Sequence, residues 1–429
     1  MVILLISFLF FLLIGVPISL TLLASSITYI FFSGNLDVFI NIIPIRLFRS
    51  TDNFIFLAVP FFILMGKLMN ASGITKDLIN LADLFVGRLK GGLAQVNVFV
   101  SMLFGGCTGT ALADTSAIGS ILIPEMVDRG YEKDFSAAVT AASSTMGPII
   151  PPSMAFILYG ASSGVSIGSL FIAGIIPGIL VALSQMGVVS IYAHKRNYPK
   201  RERRIFFKES LTIVKKGIWG LLLPIVVIGG IVFGIFTPTE AAIIAVFYAL
   251  LVSSFIYKKM KYKKFLKIVI DAGVESGSMM VIIATSALFG WVLANEQIPT
   301  KFAQMVVSLI SAPWQALLLI NIFLLIIGMF MDNGPAIILL VPILLPLYTA
   351  LGIDPIQGGL ITCVNLTTGL ATPPVGCCLF AATAISKESY LKVSKAVIPF
   401  IFANILVVIL ITYVPAITLW LPKVAMALK

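Results

Sequence analysis

Apolar runs separated by short polar breaks fill most of the chain, and their lengths predict its elements. Residues 2–15 and 18–33 make two runs hinged at Gly15-Val16-Pro17, and residues 218–236 and 240–257 make two more hinged at Thr237-Pro238-Thr239. A further helix is predicted at about 52–70 and again at 268–295. The amphipathic stretches 74–90 and 298–312 suit arms lying along an interface. Runs 93–104 and 115–127 then flank a polar tip, Gly105-Gly106-Cys107-Thr108-Gly109-Thr110, and runs 315–331 and 335–350 flank Asp332-Asn333-Gly334. Each of these runs is short for a full crossing, so each pair predicts a re-entrant helical hairpin. Helices at 135–163 and 355–385 follow, both interrupted at Pro-Pro, then spanning helices at 167–193 and 396–420. The longer runs reach the roughly 20 apolar residues that cross a bilayer. Lipid cannot satisfy backbone polar groups, so such runs are helical. The alternating segments of a membrane β-barrel are absent from the sequence.

The same order of elements occurs twice. Gly147-Pro148-Ile149-Ile150-Pro151-Pro152 has its partner 222 residues further on, in Gly369-Leu370-Ala371-Thr372-Pro373-Pro374. The same offset relates Gly106 to Gly328, Pro124 to Pro346, Gly130 to Gly352 and Thr145 to Thr367, while Pro17 and Pro238 stand 221 apart. Glycine and proline fix backbone shape, so a series at one spacing marks a structural repeat. Repeat 1 is expected over 1–198, with scaffold helices in 1–90, hairpin 93–128, broken helix 135–163 and helix 167–193. A basic loop follows at 199–216. Repeat 2 is expected over 217–429, with scaffold helices in 217–312, hairpin 315–350, broken helix 355–385 and helix 396–420.

Composition agrees with a polytopic α-helical membrane protein: 59% of residues are apolar and 11% charged. The net charge of +11 is concentrated between Lys195 and Lys216, including Arg201, Arg203 and Arg204, and between Lys258 and Lys267. Basic loops mark the cytoplasmic side, which explains the charge without nucleic acid. Counting crossings from those loops brings the first hairpin in from the cytoplasm, where Arg88, Lys90, Arg129 and Lys133 flank it, and the second from outside. The repeats are therefore expected to be inverted, with both termini periplasmic and the chain in a bacterial inner membrane.

Inverted repeats with hairpins and discontinuous helices are an architecture of secondary transporters. A helix broken inside the membrane exposes backbone groups that are costly to leave unsatisfied. Free carbonyls suit Na⁺ and half-helix N-termini suit an anion. Hydroxyl, amide and carbonyl oxygens are hard ligands, and the central set holds no Cys–His cluster for a transition metal. Asp114 and Asp332 weigh most, because a carboxylate at membrane depth costs ~2.5–3.5 kcal/mol. Any single Ser or Thr is equally well read as bonding back to its own helix. No Lys or Arg falls in this set, and neither a Walker A motif nor a nucleophile–base pair is present. The expected activity is thus transport, neither ATP-driven nor enzymatic.

Gly105–Asp114, Gly147–Ser153 and Phe236-Thr237-Pro238-Thr239-Glu240-Ala241-Ala242 resemble signature segments of the large membrane subunit of tripartite ATP-independent periplasmic (TRAP) transporters. The resemblance covers essentially the whole chain. It implies elevator-type import of an organic acid, such as sialic acid or a C4-dicarboxylate, driven by two or more Na⁺. A periplasmic substrate-binding protein and a small four-helix membrane subunit would be its partners. The sodium set it suggests is Gly106, Thr108, Thr145 and Gly147 with Asn333, Gly334, Thr367 and Gly369. The substrate set is Thr110, Asp114, Pro151 and Ser153 with Asp332, Thr372 and Pro374. The alternative is a self-sufficient sodium symporter of the divalent-anion type.

Overall fold

The computed structural model describes residues 2–33, 41–200, 207–309 and 312–427, and among them every regular element is helical. The first repeat supplies α1 (Val2–Leu13), α2 (Ile18–Phe32), α3 (Ile42–Thr51), a 3₁₀ turn (Phe54–Leu57) leading into α4 (Ala58–Ser72), and α5 (Ile74–Val86). Its hairpin is α6 (Gly92–Thr108) and α7 (Ala111–Asp128), its broken helix α8 (Lys133–Ser144) and α9 (Met154–Ser163), and its last helix α10 (Ile167–Lys195). The second repeat runs through α11 (Phe207–Val232), α12 (Pro238–Leu251), α13 (Tyr262–Asn295) and α14 (Ile298–Leu309). Then come α15 (Pro313–Phe330) and α16 (Asn333–Ala350), α17 (Pro355–Gly369) and α18 (Cys377–Ser386), α19 (Tyr390–Tyr413) and α20 (Pro415–Ala427). Eight helical stretches of the described residues are long and apolar enough to cross a membrane, so the chain is a multi-pass membrane protein.

Local chemistry sets the ends of these helices. Pro238 opens α12 behind a capping box, in which the Thr237 side chain accepts from the Glu240 N–H and Glu240 reaches back to the Thr237 N–H. Pro355 opens α17 behind Asp354, whose carboxylate accepts from the Ile356 N–H at 2.8 Å.

Several boundaries differ from expectation. The first tip shrinks to Gly109-Thr110, because α6 remains helical through Thr108. The helix expected at 396–420 ends at Tyr413, where Pro415 cannot donate to the ladder and starts α20 instead. The basic run before residue 268 is partly helical, since α13 begins at Tyr262 and carries Lys263, Lys264 and Lys267 in its first turns. Likewise α11 begins at Phe207, inside the expected loop 199–216. Arg201, Arg203 and Arg204 lie outside the described residues, as do 310–311 of the second arm. Helix α3 was not anticipated at all. At 18 residues, α15 and α16 are each about 27 Å long, so length does not by itself make them re-entrant.

Helices related by the 222-residue offset pack alike. Within each hairpin the arms touch, α6 on α7 and α15 on α16, and both arms rest on the first half of their own broken helix, α8 or α17. The second halves cross over: α9 packs on α16 and α18 packs on α7. Each broken helix thus joins its own hairpin to the other repeat's hairpin. The helices that precede the hairpins exchange similarly, with α12 on α4 and α13 on α2. Both Pro-Pro bonds, Pro151-Pro152 and Pro373-Pro374, are cis.

Candidate functional site

The first tip is pressed onto the first break. A Cβ on Gly105 would lie 3.0 Å from the Gly147 Cα, and one on Gly106 would lie 2.9 Å from the Pro151 carbonyl oxygen. This close approach explains the glycines in α6: they admit a neighbouring backbone and do not loosen the helix. Asp114, in the first turn of α7, is fully buried and accepts the Thr108 hydroxyl on Oδ1. Its Oδ2 is buried without a hydrogen-bond partner. That oxygen faces Gly147, where a Cβ would stand 2.6 Å from it and 3.0 Å from the Thr110 carbonyl oxygen. Thr108, Thr110, Asp114 and Gly147 therefore form one cluster, with Gly106 and Pro151 beside it. The cluster draws on both candidate sets, Gly106, Thr108 and Gly147 from the sodium set and Thr110, Asp114 and Pro151 from the substrate set.

Thr145 and Ser153 have committed their hydroxyls. Thr145 Oγ1 donates to the Ala142 carbonyl at 2.6 Å and accepts from Asn404 Nδ2 at 3.4 Å. Ser153 donates to the Pro148 carbonyl and, as N-cap of α9, accepts from the Phe156 N–H at 3.2 Å. The carbonyl end of α8 is engaged as well, since Ala142, Ser143 and Ser144 accept from the N–H groups of Thr145, Met146 and Gly147 at 3.2, 3.0 and 3.1 Å.

The second tip meets the second break in the same manner. Asn333 Nδ2 donates to Thr367 Oγ1 at 2.8 Å, and its Oδ1 is buried without a partner. Gly369 lies against Gly328, its hypothetical Cβ 2.3 Å from the Gly328 carbonyl carbon. Gly334 packs on Met279 of α13, and on Leu158 of α9, which links this tip to Ser153 at the start of the same helix. Asp332 caps α16 by accepting from the Asn333 N–H at 2.8 Å and is exposed. Thr372 bonds back to the Thr368 carbonyl at 2.8 Å. Pro374 is exposed, and its carbonyl accepts from the Tyr390 hydroxyl at 3.0 Å. The Thr372 hydroxyl and the Pro374 carbonyl are thus engaged within their own segment and by α19.

Buried polar networks hold the parts around both clusters. Asn97 Nδ2 donates to Thr140 Oγ1 at 2.7 Å, and Ser143 Oγ donates to Asn97 Oδ1 at 3.2 Å, tying α6 to α8. At Asn365 and Thr362, each 222 residues beyond Ser143 and Thr140, Asn365 Nδ2 donates to Asn321 Oδ1 at 2.8 Å and Tyr348 bonds Thr362 at 3.0 Å, tying α17 to α15 and α16.

One charged pair was missed from sequence. Lys67 of α4 and Glu275 of α13 form an ion pair at 2.7 Å, both within candidate membrane spans. A lone lysine in the apolar run 52–70 was the available signal.

Two clusters of buried, underused oxygens, each between a helix tip and a helix break, with no catalytic constellation among them, define a multi-pass membrane transport protein. The match to known proteins makes the class specific. The model of the tripartite ATP-independent periplasmic transporter DctM component matches residues 5–417, and the chain belongs to that family of transporter subunits. It is 40% identical over 401 residues to the C4-dicarboxylate TRAP transporter large permease protein DctM of Pseudomonas aeruginosa, covering 94% of this chain and 93% of that one. It is 36% identical over 412 residues to the sialic acid TRAP transporter large permease protein SiaM of Vibrio cholerae, covering 95% of each. In fold it is similar to the YdaH transporter of Alcanivorax borkumensis, with a TM-score of 0.65 at 14% identity over 85% of this chain and 86% of that one.

Proposed function

We propose that this chain carries an organic carboxylate across the bacterial inner membrane, driven by Na⁺, by an elevator motion of the hairpins, broken helices and α10 and α19 against the remaining scaffold. A periplasmic binding protein delivers the substrate, and a small four-helix membrane subunit braces the scaffold. The C4-dicarboxylate and sialic acid relatives support a carboxylate as the substrate class. The reading rests chiefly on Asp114 Oδ2 and Asn333 Oδ1, the two at the tips among the six buried side-chain oxygens of the described residues that lack a hydrogen-bond partner. Leaving a buried acceptor unpaired is costly, and a bound cation would relieve the cost at both tips. Sodium, which takes hard oxygen ligands, fits a set made of carboxylate, amide, hydroxyl and carbonyl oxygens.

In the proposed cycle Na⁺ sits first against Asp114, Thr108 and the backbone at Gly147, and second against Asn333, Thr367 and the backbone at Gly369. Each ion ties a tip to its break and so completes the surface on which the anion rests. The test is uptake into liposomes holding this chain with its small subunit, supplied with the loaded binding protein. Uptake should require an inward Na⁺ gradient. Equal uptake without that gradient would refute the coupling. Equal uptake without the binding protein would favour the self-sufficient symporter.

A further inference from the structure

We propose that Lys67 and Glu275 form an exchangeable pair on the scaffold wall, in which Lys67 leaves Glu275 to meet the carboxylate of the transported anion as it departs. The inference rests on the transport reading above and supplies the cationic group that both central clusters lack.

The placement carries the argument. Gly66, next to Lys67, abuts the first tip: a Cβ there would lie 3.1 Å from the Thr108 carbonyl oxygen. Met279, one helical turn beyond Glu275, abuts the second tip, its Sδ 3.1 Å from a Cβ on Gly334. The Lys67–Glu275 pair therefore joins α4 to α13 at the level where those helices touch both tips. A substrate held at the tips faces this wall.

The pair is also accessible. Its side chains are 33% and 42% exposed, so an anion can reach the lysine without unpacking the helices around it. Asp332 lies near Glu275, so a second carboxylate stands beside the pair. A substrate carboxylate that replaces Glu275 on Lys67 leaves Glu275 unpaired beside Asp332, and this repulsion returns the lysine to Glu275 once the anion has gone.

Space for the exchange adjoins it. A cleft of about 340 Å³ is lined by Lys67, Asn70, Ala71, Ile268 and Asp271. Toward its α4 end stand further lysines: Lys264 Nζ donates to the Ala71 carbonyl at 2.7 Å, and Lys259 lies over Gly73. These belong to the basic segment that the charge rule assigns to the cytoplasm. An anion taken up by Lys67 thus leaves its site toward an increasingly positive exit, and Glu275 then reclaims the lysine and resets the wall.

A purely structural bridge and an exchangeable one differ in sign. In the complex purified with its small subunit and saturated with Na⁺, dissociation constants are measured for a panel of carboxylates: succinate, other C4-dicarboxylates, N-acetylneuraminate and simple monocarboxylates. Lys67→Met should weaken binding about tenfold, and Lys67→Arg should recover most of that loss. Glu275→Gln breaks the same bridge but frees the lysine, so it should tighten binding about threefold and slow release in a counterflow assay. Equal losses in Lys67→Met and Glu275→Gln, or no change in either, overturn the proposal. Glu275→Gln decides it alone if Lys67→Met does not assemble, since weaker or unchanged binding there is also fatal. Failure of every carboxylate to bind the unaltered complex overturns the carboxylate-transport reading itself, a result distinct from either of these.

Discussion

The carboxylate oxygen of Asp114 that receives no hydrogen bond faces the α-carbon of Gly147 so closely that a methyl group there would stand 2.6 Å from it. Residues 33 positions apart in sequence thus share one wall of a buried polar space, between the first tip and the first helix break. Gly147→Ala would fill that space while the Thr110 carbonyl oxygen, 3.0 Å away, blocks relief on the other side. The expected result is loss of Na⁺-dependent uptake, together with loss of the Na⁺-induced rise in thermal stability. An unchanged Na⁺ titration in Gly147→Ala would show that no ion binds between these two residues.

Asp114→Asn keeps the shape of the side chain and removes its charge. The Thr108 hydroxyl can still donate to the amide oxygen, so the fold should survive. Hydrogen bonds to charged groups contribute about 1.5–3 kcal/mol, and a cation contact of similar worth corresponds to roughly a tenfold or greater rise in the Na⁺ concentration for half-maximal uptake. Sodium titrations of uptake at fixed substrate measure it.

Asn333 at the second tip and Thr145 at the first break are two kinds of polar residue. Asn333 has an unpaired buried oxygen, whereas the Thr145 hydroxyl is already engaged by Ala142 and Asn404. Asn333→Ala should therefore raise the Na⁺ requirement several-fold. Thr145→Ala should chiefly lower stability, by about 1 kcal/mol for the lost hydrogen bond, with a smaller change in Na⁺ dependence. Comparing both variants by thermal melting and by Na⁺ titration tests the distinction, and identical behaviour would contradict it.

Sequence reading found what local chemistry dictates and missed what only packing decides. The offset joining Pro151-Pro152 to Pro373-Pro374 was visible because glycine and proline leave a readable mark. The extent of the first tip was not. Gly105 and Gly106 look like loop residues, yet they are helical, and their missing side chains make room for Gly147 and Pro151. The start of α20 at Pro415 was legible in principle and was overlooked within an apolar run. Lys67 could be noticed as a lone charge, but its partner Glu275 lies on a helix of the other repeat, so no local pattern connects them. In the same way the sequence singled out Asp114 without revealing that Thr108 and Gly147 would surround it.

The networks at Asn97 and Asn365 should govern the rigidity of the hairpins and leave ion binding alone. Asn97 is wholly buried, and its amide serves both Thr140 and Ser143, so Asn97→Leu loses two hydrogen bonds, while Thr140 keeps the Ser136 carbonyl and Ser143 keeps the Thr140 carbonyl and Ser101. Two lost bonds cost about 1–3 kcal/mol. Asn365→Leu removes the amide that donates to Asn321 Oδ1, at a position 222 residues from Ser143. Both variants should melt at lower temperature while their Na⁺ titrations, normalised to the folded fraction, keep the midpoint of the parent. Because each asparagine ties a hairpin arm to the first half of its own broken helix, losing it should also expose the tips, raising the rate at which Cys107 is alkylated by a membrane-permeant reagent in Asn97→Leu. A shifted Na⁺ midpoint with unchanged melting would instead place these asparagines in the ion sites.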